Sequence, residues 1–303
     1  VPKEVVSFLP GKGEEVGEAL VSSPHISMIN FTGSRTVGLE ILRKSYGEAA
    51  GDGQIKKVLA ELGGKNALIV DDDADLDEAV HAAIESAFNF QGQKCSALSR
   101  IFIVGETAYS AFKERFVEAV RSLNFVSSEP GRERYGAVVS RESQKRLLDV
   151  IERHKNNVLF QYELPTEIRE KGYFVPPTIF ESRAFEGELF QDEFFGPLVT
   201  IAQVENLEEA IERLNGVKYA LTGGIFSRNQ NNIDYAKEQV EVGNFYINRG
   251  ITGALVARQP FGGFKWSGVG AKAGGPDYLR QFLEAVTVTE NTMRRGFAPE
   301  LTS

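Results

Sequence analysis

Cysteine is almost missing from this sequence, with one, Cys95, in 303 residues. A single thiol cannot close an internal disulfide, which excludes a stapled secreted scaffold and favours a reducing compartment. Basic runs are missing as well. A formal net charge of −8 and a pI near 5.2 leave no clustered Lys/Arg surface to track a phosphate backbone, which excludes nucleic acid as a partner. No apolar run approaches the roughly 18 to 20 residues of a membrane span. The opening VPKEVVSFLPGKGEE has no signal-peptide layout. The expectation is a cytoplasmic globular protein, held open because the chain starts with Val and a preceding segment could carry a target signal. Histidine is scarce too: His25, His81 and His154 share no ligand spacing, so no metal site is expected.

What is present is an alternation of short apolar runs and helical periodicity. Val5–Leu9 reads as a strand ended by Pro10-Gly11, Glu14–Val21 as a helix, Ile26–Phe31 as a strand, Val37–Tyr46 as a helix and Val58–Leu62 as a strand. After Gly63-Gly64 comes the apolar run NALIV, then the acidic turn DDDADLDE, which supplies N-cap candidates. Leu76, Ala79, Val80, Ala83, Ile84, Ala87 and Phe88 form one apolar stripe, the strongest helix signal in the chain. The strand IFIV, an amphipathic helix from Tyr109 to Leu123, and a helix over Arg141–His154 follow, with loops expected from there to Phe180. Further on, strands over Leu198–Val204, Leu221–Phe226 and Asn244–Ile247 enclose helices over Leu207–Leu214 and Ile233–Val240. Strands joined by helices of this length predict a layered α/β fold with parallel pairing. The glycine-dense stretch from Gly250 to Pro276 reads as loop.

Four local features could carry chemistry, and each also has an ordinary reading. Cys95 lies in FNFQGQKCSALSR, a connection between a buried helix and a strand. A lone cysteine is usually a small core residue, but Gly92, Lys94 and polar neighbours are poor core company, so nucleophile and packing residue stay open. Glu61 ends an apolar strand before two glycines; it is either a solvated strand end or a carboxylate facing a ligand crevice, where burial would raise its pKa towards a general base. The turn FTGSRTVG offers helix-start amides to a phosphate, although Leu39 stands where a phosphate loop needs Lys and the GxGxxG fingerprint is absent. Glu193 precedes two aromatics in QDEFFGPLV, which packing alone could explain.

Taken in order, FTGSRTVG, ELGGKNALIV, GQKCSALSR, EFFGPLV and PFGGFKWSGVG resemble the aldehyde dehydrogenase superfamily through nearly the whole chain. FNFQGQKCSA, GYFVPPTIF, NRGITGALVARQPFGG and AKAGGPDYL resemble the branch that oxidises L-glutamate γ-semialdehyde, the open form of 1-pyrroline-5-carboxylate, to glutamate in proline breakdown. The resemblance implies an α/β fold with three-layer parallel sheets, divided into the end of a Rossmann-like cofactor domain over 1–62, a catalytic domain over 63–268 and a return segment over 269–303. It implies Cys95 as nucleophile and Glu61 as general base, with NAD as cofactor contacted by Gly33, Ser34, Gly38, Glu193 and Phe195. For the small-molecule aldehyde it implies Ser96, Gly253 and Ala254 at the α-carboxylate and Phe261 on the aliphatic chain.

The same resemblance carries a departure. Family members are longer at the N-terminus, where they hold an oxyanion-hole Asn and a ribose-binding Lys, so the expectation is that this chain alone is feeble or inactive. Two other readings stand beside the enzyme: a non-catalytic assembly chain of the same fold, and the C-terminal region of a bifunctional proline-oxidising protein. The alternation Ala285–Thr289 predicts a C-terminal strand without an obvious partner, and the resemblance implies homo-oligomerisation through it.

Overall fold

The computed structural model describes residues 2–46, 55–123, 135–292 and 296. Its strands are β1 (Met28–Thr32), β2 (Lys57–Glu61), β3 (Asn66–Val70), β4 (Leu98–Val104), β5 (Val158–Gln161), β6 (Thr178–Glu181), β7 (Leu198–Val204), β8 (Tyr219–Ala220), β9 (Thr222–Phe226), β10 (Asn244–Ile247), β11 (Phe264–Lys265) and β12 (Gly268–Val269). The helices are α1 (Glu18–Ser22), α2 (Arg35–Tyr46), α3 (Leu76–Phe88), α4 (Glu106–Arg121), α5 (Arg141–Arg153), α6 (Thr166–Arg169), α7 (Glu188–Gln191), α8 (Leu207–Asn215) and α9 (Gln230–Gln239).

Seven strands form one sheet in the order β10-β9-β3-β4-β7-β6-β5, parallel except for the β5–β6 pair. Burial on both faces is why β3 is apolar without alternation, as parallel sheets require. Leu68, Val70, Ile101 and Ile103 face α3 and α4 on one side, where Phe88, Phe112 and Phe116 stack. Ala67, Ile69, Phe102 and Val104 face α5, α7, α8 and α9 on the other. The acidic turn DDDADLDE closes this layer: Asp75 caps α3 by accepting from the Glu78 amide, and Asp71 accepts from Ser227 and Asn232. The Asp71–Asp73 carboxylates converge within 4.8 Å, and Asp73 binds Ser227 and the Arg228 amide.

A second sheet holds β1, β2 and β12, with β1 parallel and β12 antiparallel to β2. It packs on Val21 and Ile41 through Val58, with Ile29 and Phe31 beside them. Its C-terminal edge meets the N-terminal ends of β3, β4 and β7 across a crevice.

Three expectations are corrected. Val5–Leu9 is not a strand: Val5, Val6, Phe8 and Leu9 are 63–90% exposed and no described strand lies beside them. The polar stretch before Phe180 is not all loop, because β5 and β6 complete the sheet and α6 lies between them. Ala285–Thr289 forms no strand among the described residues; Val286 and Val288 are over 80% exposed and meet no sheet edge of this chain. The Gly250–Pro276 stretch is loop apart from the two-residue strands β11 and β12. Residues 124–134 lie outside the described residues.

Candidate active site

A cavity of about 1010 Å³ lies in the crevice, lined by Gly33, Ser34, Arg35, Glu61, Gln93, Cys95, Ser96, Arg146, Glu193, Phe195, Ala254 and Phe261 among others. Its volume is at the upper end of what a drug-sized or cofactor ligand fills. The fold delivers residues more than two hundred positions apart to this one wall.

Glu61 is at the end of β2, opposite Gly268 of β12. Its Oε2 is buried with no hydrogen-bond partner among the described residues. Burial pushes the carboxyl up to about 7, and the Lys272 charge opposes this in part. A carboxylate poised there can accept a proton near neutral pH.

Cys95 reaches the cavity through an unusual descent from α3. Phe90, Gln91 and Gly92 all take positive φ (57°, 57° and 63°), so the chain turns sharply and sets the thiol at the rim. Asn66 fixes the loop: its Nδ2 donates to the carbonyls of Cys95 (2.7 Å) and Ala97 (2.8 Å), and its Oδ1 accepts from the Thr222 amide (3.0 Å). Burial raises the thiol pKa, and the Glu193 and Glu61 carboxylates add to the effect. At neutral pH the sulfur therefore holds its proton and needs a base to become nucleophilic.

Gly63 and Gly64 explain how acid and thiol come close. A Cβ at Gly63 would meet Glu193 Oε2 at 1.9 Å, and one at Gly64 would meet the Cys95 carbonyl at 2.6 Å. The Gly64 amide donates to Glu193 Oε1 at 2.9 Å. Burial raises the Glu193 pKa, while that amide and the charges of Lys65, Arg146 and Arg35 pull it back. Phe195, next in the turn, has φ 52° and stays 42% exposed.

Ser34 begins α2, its Oγ accepting from the Val37 amide at 3.4 Å, and Gly33 donates to the Glu61 carbonyl. The helix start thus opens on the cavity beside Glu61. Ser96 is buried on the same wall. Phe261 is held in place by paired backbone bonds with Ala273, at 2.9 and 2.7 Å.

Two expected residues do not reach the wall. Gly38 is buried inside α2, where a Cβ would come within 2.5 Å of Leu62 Cδ2, so its place is helix–strand packing. Gly253 is exposed at φ 78° beside Ala254 and does not line the cavity. Conversely, Arg35, Arg146 and Asn66 escaped the sequence reading. Arg35 lies 4.2 Å from the Trp266 ring centre, and Arg146 donates to the Phe194 carbonyl at 2.7 Å. Both are charged residues in helical segments, where sequence alone does not separate a site contact from a solvated side chain. Asn66 did leave a signal, being the one polar residue in an otherwise apolar strand.

The parallel sheets, the thiol on a strained loop and the desolvated carboxylate around one cavity define a class, and the chain belongs to the aldehyde dehydrogenase family, whose sequence profile matches residues 1–288. It is 42% identical over 290 residues to 1-pyrroline-5-carboxylate dehydrogenase 2 of Bacillus subtilis (strain 168), covering 96% of this chain and 56% of that protein. The 1-pyrroline-5-carboxylate dehydrogenase of Geobacillus thermodenitrificans is 40% identical with the same coverage. Among solved structures, proline utilization A from Bdellovibrio bacteriovorus superposes with TM-score 0.91 at 48% identity, over 99% of this chain and 31% of that one. The 1-pyrroline-5-carboxylate dehydrogenase from Thermus with bound NAD gives 0.87 at 44%, over 94% of this chain and 55% of that one. The chain spans about half the length of the curated relatives it matches.

Proposed function

We propose that this chain carries the thiol and base of an NAD-dependent aldehyde dehydrogenase acting on L-glutamate γ-semialdehyde and releasing glutamate. The observation that carries it is the shared cavity of Cys95, Glu61 and Glu193. Named relatives supply the substrate class, since two curated proteins at 40–42% identity are 1-pyrroline-5-carboxylate dehydrogenases. Residues 1–62 would belong to the cofactor unit, 63–268 to the catalytic unit and 269–303 to a return segment.

Glu61 takes the proton from Cys95 Sγ, and the thiolate bonds to the aldehyde carbon as the C=O π pair moves onto oxygen, giving a hemithioacetal anion. That oxygen re-forms its double bond as the carbon gives up hydride, leaving a thioester; NAD, when bound, would supply the acceptor. Having passed its proton to solvent, Glu61 takes one from water. The hydroxide attacks the acyl carbon, the C–S bond breaks, and glutamate leaves with Cys95 restored. Ser96 and the Ala254 loop would face the substrate α-carboxylate, with Phe261 along its chain.

The cavity wall suits the cofactor. Glu193 offers a carboxylate for ribose hydroxyls, Phe195 an exposed flat ring, and Gly33-Ser34 a helix start for phosphate. These residues would hold NAD.

The test is acylation of Cys95. An activated ester should acylate the wild type rapidly, Glu61→Gln more slowly because the thiol has lost its base, and Cys95→Ala not at all, with the acyl group, once formed, persisting in Glu61→Gln; labelling elsewhere would refute the assignment. A second reading, the C-terminal region of a larger proline-oxidising protein, is supported by the match to about a third of proline utilization A. The sequence of the parent gene decides between them.

A further inference from the structure

One strongly buried cation takes no part in the chemistry above. Lys65 is 2% exposed, and its Nζ donates to the Asp192 carbonyl at 2.6 Å while standing 4.2 Å from the centre of the Phe194 ring. No carboxylate pairs with it directly among the described residues. Burial and the neighbouring Arg100 push the ammonium down to about 7, against the pull of Asp192, Glu193 and Glu188. An apolar side chain would fill this slot at less cost in desolvation. Something must offset the difference.

The surroundings show what the amine holds. Arg100, also 2% exposed, secures Lys65 from β4: its Nε and Nη2 donate to the Lys65 carbonyl, and its Nη1 and Nη2 reach the Arg213 and Leu214 carbonyls near the end of α8. With its backbone fixed, Lys65 can aim only at the turn after α7. That turn is gripped from three sides: by Lys65 at the Asp192 carbonyl, by the Gly64 amide at the Glu193 carboxylate, and by Arg146 of α5 at the Phe194 carbonyl. Phe195 follows at φ 52°, a conformation a non-glycine residue keeps only where its surroundings impose it. Lys65 itself does not line the cavity.

We propose that Lys65 is a positioning residue that holds the Asp192–Phe195 turn in its cofactor-binding shape, acting through the Asp192 carbonyl and the Phe194 ring. The inference rests on the reading of Glu193 and Phe195 as NAD contacts. Its loss frees the turn on one side only, so Glu193 keeps the Gly64 bond but loses the fixed backbone behind it. The effect is local and falls on cofactor affinity, leaving thiol chemistry in place.

Lys65→Met keeps length and apolar bulk while removing donor and charge. Hydrogen exchange read by mass spectrometry on the 303-residue chain should show amides of 192–196 exchanging on the order of tenfold faster, with β4 unchanged. NAD half-saturation should rise by about ten- to a hundredfold, while ester acylation of Cys95, which needs no cofactor, keeps its wild-type rate. Phe194→Leu, which leaves the amine in place but removes its ring, should give a smaller change of the same pattern and covers the case in which Lys65→Met fails to fold. Unchanged exchange in 192–196, or loosening spread equally through β4, overturns the proposal. NAD half-saturation is read on the full-length parent carrying the same substitutions; if exchange separates the variants but the wild-type parent shows no response to NAD, the clamp stands and the cofactor assignment falls.

Discussion

At the scale of single residues, Cys95 and Glu61 have their proton affinities displaced upward together. Cys95 holds its proton because burial and the two nearby carboxylates disfavour a thiolate. Removing one of those negative charges should lower the thiol pKa, so Glu193→Gln should be alkylated by iodoacetamide faster than wild type at pH 8; slower alkylation would show that the carboxylate activates the sulfur. Glu61, displaced to about 7 by burial, is a base only once deprotonated. Hydrolysis of the acyl group on Cys95 should therefore climb as pH rises through about 7 and then level off, and Glu61→Gln should lose the climb with a rate drop of about 100- to 10,000-fold. The same shift has a stability consequence of definite sign. A carboxyl whose folded pKa is raised stabilises the fold below its ordinary pKa, and this contribution is lost as pH rises through the folded value. Glu61→Gln should thus melt higher than wild type at pH 8 and equal to it at pH 4, as differential scanning fluorimetry would read.

At the scale of elements, the connections around the site matter more than the helices and strands they join. Asn66 ties β3, β9 and the Cys95 loop with three hydrogen bonds. Asn66→Leu would leave two part-buried carbonyls and a buried amide without partners, at up to about 1–3 kcal/mol for each unsatisfied group; urea denaturation should register the loss. This scale also shows what sequence reveals. Strong periodicity located α3 at its observed limits, and the apolar runs located β3, β4, β7 and β9, because those elements bury a full face or both faces. Val5–Leu9 and Ala285–Thr289 carry the same apolar signal but lie against no sheet edge among the described residues, and a strand is defined by its neighbour. β5 and β6 were hidden for the opposite reason, in a polar, proline-broken stretch whose pairing is set by the sheet. Cys95 and Glu61 were legible as motifs. Lys65, Arg146 and Asn66 were not, since their role lies in which carbonyl they meet.

At the scale of the whole molecule, a seven-stranded sheet brings the thiol and a three-stranded sheet brings the base, and the cavity exists only where their edges meet. The exposed Leu283, Val286 and Val288 follow this core without joining it. We expect them to be covered by a second copy, so removal of 281–303 should lower the sedimentation coefficient to that of a monomer; an unchanged profile would contradict this. The central claim is that Cys95 and Glu61 act as nucleophile and base across this seam. Intact-mass spectrometry, after each protein has been exposed to activated ester long enough for the slower variant to label and the ester has been removed, tests it most directly. The account predicts a single acyl increment on Cys95 that decays in wild type, persists in Glu61→Gln and never forms in Cys95→Ala. An increment in Cys95→Ala, or equal decay in wild type and Glu61→Gln, would contradict it.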